Sequence, residues 1–501
     1  AAMEEHHVDS GHTAFMFISM GLVQFMTPGL AFFYGGLVCK RNVLTMMMQS
    51  YVAMSVLTLI WFLFVFSMCF GTSWGLFASP FTFLAFNDVG IHAPLNVNGV
   101  EVAPGIPGIL YAGYQCMFAI ITPPLMTGAF ADRFRFKPYL LFVMVWLVLV
   151  YAPVCHWIWG GGWMFKMGVW DWAGGIVVHI TAGFSALSSL LFVGRRATGG
   201  EEDEETEGDE PHNIPFVALG TAMLWFGWFG FNGGSSYASN GIGMLATLNS
   251  QLAAAAAALI WELLVFYEGV NKPGLVDFCV GAVAGLATVT PCAGFIQPSA
   301  AVFLGCLSGV VCYLCVKLAK RFNEYGFEDA LDVWGVHGMG GFTGTVMLGL
   351  LADGQKCADA KEALMTCANP GTVTRSANQF MMQLGAAVFC ALWSFFLTYG
   401  ILLGIQKFMP IVPTRQEQLR LDEAELGENA YTLYTAGRAG STESYDSSQA
   451  LAVAAKLAAP SVSLDTTAGS TASPPSELMR QVYNHSRFLA TEDSETSFDV
   501  V

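Results

Sequence analysis

His179 and His337 stand in matching frames inside apolar sequence. Val178-His179-Ile180-Thr181-Ala182-Gly183-Phe184 is echoed by Val336-His337-Gly338-Met339-Gly340-Gly341-Phe342, and an Asp precedes each His by eight residues, at Asp171 and Asp329. Ionisable side chains within such sequence are costly and mark a pathway or relay by default. Imidazole both accepts and gives a proton near neutrality. Two of them at equivalent repeat positions would face each other across a pseudo-twofold axis; the plain alternative for each is a satisfied buried histidine. A metal site needs about three or four ligands, and neither histidine has a Cys, His or acid at ligand spacing on its own helical face. No metal and no cofactor are therefore expected.

Asp171 opens a hydrophobic run, where a carboxylate serves as an N-cap. It would also add negative potential for a cation. Asp329 and Asp332 precede a later run, where capping is again the plain explanation. Aromatic residues collect near apparent helix ends at Tyr114, Phe118, Trp159, Trp228 and Phe231, several beside Gly160–Gly162, Gly233–Gly234 and Ser235. An interfacial aromatic belt accounts for such placement in general. The glycines add close backbone approach around a small pocket, aromatic faces attract cations, and a hydroxyl accepts a hydrogen bond from a small donor. No phosphate loop, nucleophile elbow or zinc spacing is present, so the sequence does not suggest an enzyme. Nucleic-acid binding is equally unsupported.

The elements that must hold these residues are set by composition. Hydrophobic residues make up 54% of the 501 and charged ones 12%, against about a quarter charged in soluble domains, and the mean hydropathy is +0.52. Runs of roughly 20 apolar residues, long enough to cross a bilayer, recur near 12–38, 44–70, 107–131, 138–159, 172–194, 214–233, 246–269, 276–291, 298–318, 334–351 and 378–406. The alternating short strands of a membrane barrel do not. The expected class is thus an all-α, multi-pass integral membrane protein of eleven transmembrane helices.

With the first helix starting outside, Lys40, Arg41, Arg133, Arg135, Lys137, Arg195, Arg196, Lys272, Lys317, Lys320 and Arg321 fall in cytoplasmic loops, and only Lys166, Lys356, Lys361 and Arg375 fall outside. The positive-inside rule then puts the N-terminus outside and the C-terminus inside. A weaker echo, Phe33-Tyr34-Gly35-Gly36 against Phe231-Asn232-Gly233-Gly234, completes an inverted repeat of helices 1–5 and 6–10 with helix 11 left over. Such repeats build a transport site at mid-membrane.

The net charge of −16 says little about partners, because the acids cluster at Glu201–Glu210 and beyond Gln416. Most of the twelve cysteines lie in apolar runs as small buried side chains; Cys357 and Cys367 share a polar loop and could pair there. Ala1–Gly11 lacks the basic start of a cleavable signal peptide. The chain divides into an extracellular segment 1–11, a transmembrane domain 12–406, a cytoplasmic regulatory segment 407–434 and a Ser/Thr/Ala-rich tail 435–501, whose composition implies disorder.

At these residues the chain closely resembles the ammonium transporter family (Amt/MEP, related to the Rh proteins) over about 12–434. The matching runs are Pro28-Gly29-Leu30-Ala31-Phe32-Phe33-Tyr34-Gly35-Gly36, Asp171-Trp172-Ala173-Gly174-Gly175 through His179, Gly227-Trp228-Phe229-Gly230-Phe231-Asn232, and Asp332-Val333-Trp334-Gly335-Val336-His337-Gly338. The resemblance implies a homotrimer in a lipid bilayer with ammonium or ammonia as its partner, one pore per protomer and a plasma-membrane location. It matches Trp159 and Ser235 to an outer cation-recruiting site, with Tyr114 at an aromatic position and Asp171 as the supporting acid. Phe118 and Phe231 match a stacked gate, His179 and His337 the paired pore histidines, with Trp228 also lining. The Trp and Ser pair places the chain on the Amt/MEP side.

Departures fall in the tail, where Arg420-Leu421-Asp422 replaces Gly-Leu-Asp and Leu426 replaces His; this puts tail coupling in question, and the tail's cytoplasmic regulators are unknown. The implied activity is ammonium transport, with deprotonation near the phenylalanines. A near-neutral ammonia channel of Rh type and an ammonium sensor are the alternatives.

Overall fold

The computed structural model describes residues 8–197, 211–269, 272–326, 328–354 and 375–431. Among them, nine helices are long and apolar enough to cross a membrane: α1 Ser10–Leu37, α2 Val43–Phe70, α3 Gly108–Gly128, α4 Phe136–Met167, α5 Gly175–Val193, α6 Ile214–Ser236, α7 Gly241–Tyr267, α9 Pro298–Arg321 and α11 Ala377–Gln406. The expected segments 276–291 and 334–351 are also helical. The first is α8, Leu275–Val289, and the second is α10, a wide turn Trp334–Gly338 continuing as Met339–Leu351. The chain is therefore a predominantly helical, multi-pass membrane protein.

Polar residues outside the apolar runs fix where helices begin. The Asp9, Asn213, Asn240 and Ser376 side chains accept from His12, Phe216, Gly243 and Gln379 N–H groups, each satisfying one of the orphan donors of a first turn. Asn240 thereby starts α7 five residues before the apolar run 246–269 that marked it in the sequence. One feature outside the helices is a hairpin, β1 Leu95–Val97 paired antiparallel with β2 Val100–Val102. Its turn, Asn98-Gly99, has positive φ at both residues, the backbone a two-residue hairpin loop demands.

Small residues let α1 and α6 pack backbone to backbone. A Cβ on Gly220 would overlap Phe33 N, and one on Gly36 would stand 2.6 Å from Asn213 O. Such approach is how helices gain packing energy where lipid offers no hydrophobic difference.

At the Arg133 end of the bundle, a fully buried guanidinium ties three segments together. Arg133 donates to Ala129 O, Ala131 O, Gly194 O and Glu328 O. Glu328 in turn pairs with Arg196, Nε to Oε1 at 2.5 Å, which holds its carboxyl below the usual range against the opposing effect of burial.

The segment after α11 lies on this end. Asp422 accepts from Leu44 N at 2.9 Å and Thr45 N at 2.7 Å, Asn42 exchanges hydrogen bonds with Gln418 O and Leu421 N, and Arg135 reaches Glu417 and Glu425. Tyr431 completes the dock with its hydroxyl 2.8 Å from His212 Nε2. Leu426 and Arg420, the family departures, sit in this docked stretch. The acidic run Glu201–Glu210, the Cys357 and Cys367 pair, and the chain beyond 431 lie outside the described residues.

Candidate functional site

The two histidines meet. Their Nδ1 atoms are 3.3 Å apart, with ring centroids 5.2 Å apart and planes 13° from parallel. One Nδ1 must therefore carry the hydrogen and the other accept it, so the neutral pair holds opposite tautomers at these nitrogens.

The local construction explains how sequence produces this meeting. Asp171 accepts from Gly174 N and Gly175 N through Oδ1 and from Ile176 N and Val177 N through Oδ2, at 2.7–3.1 Å. Asp329 does the same with Val333 N at 3.0 Å and Trp334 N at 2.8 Å. Each carboxylate thus nucleates the first turn of a helix, and in each case that turn is a π-helix, Gly175–Ile180 or Trp334–Gly338, that ends one residue after the His. Such wide turns are rare and concentrate at functional sites. Gly174 holds φ +118°, which admits the chain into this turn and disfavours any residue with a Cβ.

Four residues beyond each His lies a glycine at the crossing of α5 and α10. A Cβ on Gly183 would overlap Gly338 Cα, and one on Gly341 would stand 2.6 Å from His179 Cβ. The helices close to ring-contact distance because neither position has a side chain.

Above the histidines, Phe118 and Phe231 lie with centroids 4.2 Å apart and planes 34° apart. Trp228 stacks on His179 at 5.5 Å and 17° and donates its Nε1–H to Thr290 Oγ1 at 2.9 Å. A narrow cavity is lined by His179, His337, Trp228, Phe231 and apolar residues including Leu30, Ile121 and Val283.

On the other side of the phenylalanines, a second cavity is lined by Trp159, Asp171 and Ser235 together with Tyr111, Ile158, Phe165, Val169, Trp170, Trp172, Tyr237 and Phe295. Trp159 donates its indole N–H to Asp171 O at 2.9 Å and meets Phe118 edge-on at 5.8 Å. Ser235 donates to Phe231 O at 2.8 Å, leaving its oxygen lone pairs as acceptors.

Trp159, Asp171 and Ser235 therefore share one cavity, His179, His337, Trp228 and Phe231 share the other, and Phe118 packs on both Trp159 and Phe231. Tyr114 differs from expectation in position: it is fully buried, its hydroxyl donates to the Gly230 and Phe231 carbonyls near Ser235, and it does not line the cavity. Tyr111 and Tyr237 line it instead. Tyr237 had one signal in the sequence, its place two residues after Ser235; Phe295 had none, since it arrives from the loop after α8. Among the described residues, no three His, Cys, Asp or Glu side chains are placed to hold a metal ion.

Comparison with known proteins gives one result. The sequence profile of the Ammonium Transporter Family matches residues 14–431. An ammonium transporter of Aquifex aeolicus is 37% identical, over 86% of this chain and 96% of its own. Ammonium transporter 1 of Schizosaccharomyces pombe is 37% identical over 84% and 82%. The crystal structure of Candida albicans Mep2 superposes with a TM-score of 0.72 at 32% identity, over 85% and 91% of the two chains.

Proposed function

The chain belongs to the Ammonium Transporter Family, and from that premise we propose that ammonium enters at the Trp159 cavity and crosses as ammonia and proton past the paired histidines. The observation that carries this reading is the 3.3 Å Nδ1 to Nδ1 approach of His179 and His337 directly behind the Phe118 and Phe231 rings.

In the first cavity, the indole face of Trp159 attracts the cation, the Ser235 oxygen accepts one N–H, and the Asp171 carboxylate adds negative potential. Tyr114 acts from behind, holding the Phe231 carbonyl and Ser235. Passing intact between the phenylalanine rings would strip ammonium of water with nothing to replace it, at a cost of several kcal/mol. Desolvation favours the neutral amine, so the ion gives up a proton there and ammonia continues through the apolar cavity. The proton passes to the imidazole pair, which needs both an acceptor and a donor nitrogen. Potassium has no proton to give, so the same barrier excludes it.

The rest of the reading extends to architecture. Eleven crossings form two five-helix halves of opposite orientation plus α11, with the N-terminus outside. Three protomers assemble in the plasma membrane, each with its own pore. Segments 1–11, 12–406, 407–434 and 435–501 serve as extracellular start, pore domain, cytoplasmic regulatory segment and cytoplasmic tail; the docked contacts of Asp422 and Gln418 support the third.

The test is current and isotope flux in His179→Ala and His337→Ala, matched for surface abundance in cells lacking their own ammonium transport. Ammonium-evoked current should fall sharply in both, with potassium leakage through the widened passage. Normal, potassium-excluding current in both variants would overturn the relay. Flux without current in the wild type would indicate the neutral channel, and binding without flux the sensor.

A further inference from the structure

Tyr237 is held in a conformation that its own chemistry opposes. It has φ +52° and ψ +15°, a left-handed backbone that glycine and asparagine adopt readily and aromatic residues rarely. The turn needs no aromatic side chain to connect Ser236 to α7, because a glycine would make the same turn without strain.

The surroundings fix the strain from several sides. Tyr237 N donates to Gly234 O at 2.9 Å, Ser236 Oγ donates to Ala238 O at 2.7 Å, and Ser239 N donates to His12 Nδ1 at 3.3 Å. Strain of this kind persists only where neighbours over-determine it, and it collects at binding sites.

The side chain is aimed as firmly as the backbone. Gln115 Nε2 donates to the Tyr237 hydroxyl at 2.5 Å, and Gln115 is buried and outside the cavity lining. The hydroxyl is thus turned toward α3, and Tyr237 lines the cavity with Trp159 and Ser235. Tyr111 and Tyr114 brace it, with centroids 5.2 Å and 5.9 Å away.

We propose that the Tyr237 ring is a further wall of the ammonium-binding cavity, contributing an aromatic face to cation recognition and limiting the size of amine admitted, with Gln115 as its positioning residue. This rests on the reading of the cavity as an ammonium entry site. Asp171, the acid lining the same space, favours a cation there too.

The experiment measures ammonium and methylammonium binding to the purified full chain by calorimetry, alongside concentration-dependent current in cells. Tyr237→Leu should raise the half-saturating ammonium concentration about fivefold, within the range of one lost cation–π contact. It should also narrow the preference for ammonium over methylammonium, because the cavity gains room. Tyr237→Phe keeps the face but loses the hydrogen bond from Gln115, and Gln115→Leu removes the same bond, so both should fall between wild type and Tyr237→Leu.

Tyr237→Asn serves if the Leu variant fails to fold, since asparagine accepts the left-handed backbone, and the same shift is expected of it. Unchanged affinity and unchanged amine preference in Tyr237→Leu or Tyr237→Asn would overturn the proposal. Equal losses in Tyr237→Phe and Tyr237→Leu would also overturn it by moving the role to the hydroxyl. Binding shifts in a wild type that carries no current would instead overturn the transport reading and leave this one standing.

Discussion

In the segment 171–184 the leading carboxylate collects four amide hydrogens, while in 329–342 its counterpart collects two. His179 stacks on Trp228 and approaches Phe231 at 6.2 Å; His337 has His179 as its stacking partner. Asp171 borders the cavity that holds Trp159, whereas Asp329 lies among Asp332, Arg133 and Glu328 at the opposite end. The two segments share a frame, Asp to π-turn to His to Gly, because those relations are local. They differ wherever the neighbours come from elsewhere in the chain. A repeat thus supplies two equivalent histidines, and the rest of the fold makes one face the phenylalanines and the other face away.

The largest effect should come from the crossing glycines, where the comparison can be broken outright. A side chain on Gly183 meets backbone of Gly338, which has no means to yield, while one on Gly341 meets His179 Cβ and the Gly175 carbonyl. Gly183→Val should cost more than about 3 kcal/mol, beyond the ordinary range of overpacking, and abolish the monodisperse peak in detergent chromatography. Gly341→Ala should lower the yield of folded protein less and perturb current more, since it displaces a histidine. A folded, normally conducting Gly183→Val would show that the crossing has room for a side chain.

The capping carboxylates come next. Asp171→Ala orphans four amides and should cost about 2 kcal/mol or more, against about 1 kcal/mol for Asp329→Ala, read as thermal midpoints in detergent. Their pH behaviour sharpens the contrast. Burial, with Asp332 adding to it, pushes the Asp329 carboxyl up to about 7, so the folded state holds a proton that the unfolded state, near pKa 3.8, gives up. Stability from this group is complete below about pH 4 and is lost as pH rises toward 7. Asp329→Asn should flatten the midpoint against pH over that window, and an unchanged slope would count against the assignment.

The variant with the smallest expected change in selectivity tests the difference between the imidazoles. Trp228→Leu removes the ring stacked on His179 and should cost about 1–2 kcal/mol in stability, with a several-fold smaller current. Potassium exclusion should persist, because both histidines and both phenylalanines remain. Potassium leakage equal to that of His179→Ala would mean that Trp228 holds His179 in place rather than merely lining the passage.

Much of this was legible along the chain because its causes are local. Apolar run length marks the helices, which is why Ser10–Leu37 and Ala377–Gln406 fall within a few residues of the expected 12–38 and 378–406. Asp171 and Asp329 were readable as caps because an N-cap acts within its own turn. Where boundaries moved, a cap outside the apolar run moved them, as Asn240 did for α7. The Asn98-Gly99 hairpin has a local cause too, in two turn residues that tolerate positive φ.

By itself the sequence determined the membrane-spanning class, the family, the paired Asp and His frames and the aromatic residues near them, since periodicity, composition and spacing act through adjacent residues. Tertiary structure alone decided that the two imidazoles meet at 3.3 Å, that Tyr114 sits behind the cavity while Tyr111 and Tyr237 face it, and that Asp422 caps α2 from the far end of the chain. Each of these depends on how closely two distant backbones approach, and that distance is set jointly by glycines such as Gly183 and Gly338, which carry their information only when paired.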